Sequence, residues 1–114
     1  MIYVDKDTEP YYTSFVEAVK TIEGLGYTFP DGILIVAYKG KDTKLYGMAK
    51  HFDDSAMVEI NIKIHKNKEE LINTIYHELA HITNECANNE HGKKWQTLAH
   101  LIYKASRIEI KEYA

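Results

Sequence analysis

Residues 67–84 constrain this chain more than any other stretch. Asn67 can accept a backbone hydrogen bond where a helix begins, and Glu70 stands three residues on, in a variant of the capping box. The apolar spacing that follows predicts a helix to about Asn84. At about 100° per residue, Leu71, Ile72, Ile75, Leu79, Ile82 and Cys86 fall on one arc. His77 and His81 lie roughly opposite, with Asn73 and Asn84 beside them. The pattern predicts a helix held to a core by one side, with two histidines one turn apart facing a cleft on the other.

Two histidines so placed can bind one metal ion, and Glu78 between them can act on a metal-activated water. His77-Glu78-Leu79-Ala80-His81 is the H-E-x-x-H arrangement of zinc peptidases. Catalytic zinc usually takes three protein ligands, so a third is required. A histidine ten residues after the first would fall at Ala87, and Asn84 stands where the metzincins need glycine, so that class is excluded. A downstream glutamate, Glu109 or Glu112, lies in a tail with no supporting pattern. His91 is the better candidate, with Glu85, on the same helix face as His81, as its chief rival.

The rest of the chain reads as support. Thr8 is predicted to cap a first helix with Glu9 and Pro10 in its first turn. Tyr12, Phe15, Val19 and Ile22 form its apolar stripe, and Gly24 and Gly26 stop it. Residues 29–32 form a turn. Residues 33–38 predict a strand buried on both faces, and residues 45–52 a second. In a third, Val58, Ile60, Ile62 and Ile64 alternate with Glu59, Asn61, Lys63 and His65. These make a small, three-stranded, mostly antiparallel sheet with one covered face. Residues 88–90 are loop-like. His91-Gly92 then opens a last helix whose stripe is Trp95, Leu98, Ile102 and Ala105. The tail from Arg107 is a short edge strand or a frayed end.

Length and composition bound the class. With 114 residues, 45% hydrophobic and 27% charged, the chain is expected to be one globular domain over 1–114, its core about 8–106. No apolar run reaches the roughly 18 residues that span a bilayer, and the acidic start lacks a signal-peptide pattern. An intracellular, cytoplasmic protein without membrane association is expected. One cysteine excludes a four-cysteine zinc ribbon, so any metal must rest on histidines. A net charge of −3 argues against whole-surface attraction to nucleic acid. Cys86 reads as a small buried apolar residue, Trp95 as a core anchor, and His51, His65 and His100 as polar or surface histidines. Nine tyrosines read as amphipathic packing.

The run Met57-Val58-Glu59-Ile60-Asn61-Ile62, the segment from Leu71 to His81, and His91-Gly92-Lys93-Lys94-Trp95 with Gln96, Leu98 and His100 together resemble the SprT-like metallopeptidase domain. That family shows a strand, a helix carrying H-E-x-x-H, and a later H-G-x-x-[FW] opening another helix; the likeness covers about residues 10–106. It implies an α+β, zincin-like domain with an N-terminal helix, the small sheet, the H-E-x-x-H helix and a C-terminal helix. It implies a zinc metallopeptidase with His77, His81 and His91 as ligands, Glu78 as general base, and a protein or peptide substrate. Members acting on DNA-protein crosslinks carry further DNA-binding segments, and bacterial relatives often a C-terminal zinc ribbon; this sequence shows neither. Lys63, Lys66, Lys68, Lys93 and Lys94 could form a basic rim, but solvated lysines are the plainer reading, so DNA-linked substrates are the lesser expectation. A different class is a zinc-binding module that works by interaction without proteolysis. The intact Glu78 favours the enzyme, since a structural site needs no base.

Overall fold

The sheet has one more strand than the pattern announces. Ile2–Val4 form β1, too short to show a period, and pair in parallel with β2 (Gly32–Ala37). Between them the chain makes a 3-10 turn at Glu9–Tyr11 and helix α1 (Tyr12–Gly24). Strand β3 (Gly47–His51) pairs antiparallel with β4 (Ser55–Ile60), and β4 inserts beside β2 in parallel, giving the order β1-β2-β4-β3. Among the described residues the sheet is therefore four-stranded and mixed rather than three-stranded and mostly antiparallel. Helices α2 (Lys68–His81) and α3 (Lys93–Ser106) complete the fold. The computed structural model describes residues 1–42, 44–87 and 91–110. The predicted loop at residues 88–90 and the tail from 111, with Glu112, lie outside the described residues.

One hydrophobic core fills the space between the sheet and all three helices. Phe15 and Ile22 of α1, Ile33 and Ile35 of β2, Val58 and Ile60 of β4, Leu79 of α2 and Leu98 of α3 meet there. The opposite sheet face is open, with Leu34 43% exposed, so β2 is covered on one side only and not on both. No described helix is long and apolar enough to cross a membrane.

Several local departures have identifiable causes. Thr8 is buried and does not cap α1 with its side chain. Its hydroxyl donates to the Asp5 carboxylate at 2.8 Å and lies 3.0 Å from the Ile35 carbonyl, tying the β1–α1 connection to the sheet. The alternation expected through Ile64 ends at Ile60, and Ile62–Ile64 turn as a 3-10 helix. There the Asn61 backbone N–H donates to the Tyr46 carbonyl at 3.0 Å, and its amide to the Leu45 carbonyl at 2.9 Å. Helix α2 begins as expected: Asn67 Oδ1 accepts from the Glu70 backbone N–H at 2.9 Å, and Glu70 Oε1 accepts from that of Lys66 at 3.4 Å. It ends at His81 rather than Asn84, because the Asn84 backbone N–H is turned to the Thr28 carbonyl at 2.9 Å. In α3, Trp95, Leu98 and Ile102 are buried, whereas Ala105 is exposed. After α3, residues 107–110 form neither helix nor strand, although Ile108 and Ile110 pack against the core.

Candidate metal centre

Helix α2 is covered on nearly every side along its C-terminal half. Thr74 to Ala80 are all buried, and His77 is 0% exposed. The histidine face is only partly covered: His77 is buried, whereas His81 and His91 are half-buried. Helix α3 supplies the cover. Its N-terminus brings Trp95 against all three imidazoles, with ring centroids 5.0 Å from His77, 5.5 Å from His81 and 4.6 Å from His91. Trp95 is thus core anchor and side wall together.

Gly92 is the N-cap of α3, so His91 sits just ahead of the helix. The Gln96 side-chain amide donates to the His91 carbonyl at 2.8 Å and holds that corner. The Nε2 atoms of His77, His81 and His91 then converge. They are 3.2 Å apart for His77 and His81, and 3.1 Å for each of the other two pairs.

This triangle cannot satisfy itself by hydrogen bonding. A neutral imidazole nitrogen is either an N–H donor or a lone-pair acceptor. Among three mutually adjacent nitrogens at least two are alike, so at least one contact opposes the others. A cation accepting all three lone pairs removes the conflict. Tetrahedral coordination at about 2.0–2.1 Å places ligand nitrogens roughly 3.3–3.4 Å apart, close to what these side chains already adopt. Burial and the nearby His91 push His81 down to about 4, keeping its ring in the neutral, ligating form at neutral pH. The donor set fits a metal ion, and among the described residues these three histidines form a group able to hold one.

Glu78 lies beside this group, 2% exposed, and burial pushes its carboxyl up to about 8. Its Oε2 is buried without a hydrogen-bond partner among the described residues. Such an atom usually costs about 1–3 kcal/mol, and an unsatisfied one calls for an explanation such as a catalytic role. Edge strand β3 passes next to it at Gly47, a neighbour that no sequence signal marks.

The other candidates lie elsewhere. The rival ligand Glu85 is committed to Thr28, its carboxylate accepting from the backbone N–H at 2.9 Å and the hydroxyl at 2.7 Å. Burial opposes its charge, but these bonds outweigh it and hold the carboxyl below its ordinary range. His51 Nε2 meets Asn84 Oδ1 at 2.9 Å, and Asn84 in turn donates to the Thr28 hydroxyl at 3.0 Å. His65, pushed down by burial, pairs with Thr74 Oγ1 at 2.8 Å. His100 and Glu109 are exposed, as are Lys63, Lys66, Lys68, Lys93 and Lys94. Cys86 is buried and free.

No curated protein and no solved structure matches the chain. The model of the SprT-like family matches residues 28–114, a span that runs from the loop before β2 through α3 and contains the whole histidine group. The chain belongs to the SprT-like family.

Proposed function

We propose that the chain is a zinc metallopeptidase of the zincin type. His77, His81 and His91 hold the ion, and Glu78 is the general base. The observation that carries this reading is the convergence of three Nε2 atoms at 3.1–3.2 Å beside a buried carboxylate. When bound, zinc supplies a Lewis acid that lowers the pKa of a water to about 7 and polarises a carbonyl. His77, His81 and His91 would supply three donors, the number that a catalytic zinc site takes from the protein. Glu78 takes a proton from the attacking water and returns it to the leaving amine.

Substrate would pair with β3, the sheet edge next to Glu78. Tyr46 bonds to Asn61 and Phe52 to Ser55, so by alternation Ala49 and His51, both half-buried, turn their backbone groups to the free edge. An extended peptide can add a strand there. Proteins bound to DNA remain one substrate class to test.

The second reading is a zinc-binding module without proteolysis, favoured by the complete burial of His77 and by Trp95 closing α3 onto the triad. Two variants separate the readings. The wild type should carry about one zinc per chain, and His91→Ala should lose much of it. Glu78→Gln should keep zinc and fold but lose at least about 100-fold in turnover. Cleavage of an unfolded protein, assayed with and without DNA, provides the readout. A zinc-loaded wild type that cleaves nothing in a broad panel supports the module instead.

A further inference from the structure

Gly47 stands where the fold leaves no room for a side chain. It is buried and opens edge strand β3. A β-carbon on it would lie 2.9 Å from the Glu59 carbonyl oxygen and 3.0 Å from both Cγ and Oε2 of Glu78. Among the described residues only Gly26 is a glycine with positive φ, so Gly47 is needed for space and not for a left-handed backbone. The Glu59 carbonyl belongs to β4 and cannot swing aside. A methyl group at 47, blocked on that side, has to displace the Glu78 side chain or lift β3 from its partner.

We propose that Gly47 is a positioning residue for Glu78. The bare main chain of β3 lies directly against the carboxylate, confines its Cγ and Oε2, and keeps it aimed from a water-poor pocket. Glu78 Oε2 is buried and has no hydrogen-bond partner among the described residues, so packing contacts bear on its place. Gly47 supplies such a contact. This inference rests on the role of Glu78 as general base in the proposed function.

The test uses the full chain. Gly47→Ala should keep the metal content of the wild type while kcat for cleavage of an unfolded protein falls roughly a hundredfold with KM little changed. Wild-type kcat overturns the proposal, and so does a loss carried entirely in KM. Urea unfolding of metal-free protein gives a readout independent of activity. The drop in midpoint caused by Gly47→Ala should be clearly smaller when Glu78 is already alanine, and equal drops in both backgrounds overturn the proposal. If Gly47→Ala does not fold, recovery of folding in Gly47→Ala/Glu78→Ala supports the proposal and failure of both overturns it. A wild type that neither binds zinc nor cleaves defeats the proposed function, while the urea cycle still decides whether Gly47 holds Glu78.

Discussion

At the scale of single residues, the histidine group depends on a neighbour that is not a ligand. Trp95 is 1% exposed and touches all three imidazole rings. Removing it opens a cavity beside the triad and leaves the rings without a common wall. Trp95→Ala should cost about 3–5 kcal/mol in urea unfolding and release zinc faster under chelator challenge, whereas Trp95→Phe should retain more of both. His77, His81 and Glu78 are legible because a helix repeats every 3.6 residues, so a local pattern places them on one turn, whereas His91 lies ahead of another helix. Gly47 and Thr8 were not. Each is defined by what lies across from it: Gly47 by a carbonyl of β4 and a carboxylate of α2, Thr8 by Asp5 and the end of β2.

At the scale of elements, helix α2 owes its start to one side chain. Asn67 Oδ1 satisfies the Glu70 N–H, which would otherwise lack an intrahelical partner. Asn67→Ala should lower stability by about 1 kcal/mol and Asn67→Asp by much less, measured as a shift in the thermal midpoint. Apolar stripes are written locally, and for that reason α1, α2 and α3 could be read; of the expected caps, Asn67 of α2 forms and Thr8 does not. Strands were harder. The Ile62 to Ile64 segment continues the alternation of β4 but turns away, because Asn61 is captured by the chain at Leu45 and Tyr46. The placement of β4 between β2 and β3 is likewise a matter of which strands meet, and no window of sequence contains that information.

For the molecule as a whole, the three helices share one side of the sheet and the β1–α1 connection is stitched to the end of β2. Asp5 makes that stitch, accepting from the Ala37 N–H at 3.0 Å and the Thr8 N–H at 2.9 Å. Burial works against its charge, yet these bonds together hold the carboxyl below its ordinary range. A lowered carboxyl stabilises the fold fully above its unfolded pKa, and this contribution is lost as pH falls through the folded value. Asp5→Asn should therefore flatten the acid limb of stability against pH, leaving a smaller difference from wild type at low pH than at neutral pH. The strand that roofs Glu78 has a different consequence. β3 is bonded along its length to β4, whose Ala56, Val58 and Ile60 are buried in the core. This pairing ties its opening to loss of the β3–β4 ladder. Hydrogen exchange should show this as a split along one short strand: the amides of Met48 and Lys50, bonded to β4, should exchange slowly, and those of Ala49 and His51 far faster. The chain would then receive its substrate along a fixed rail, not beneath a moving lid.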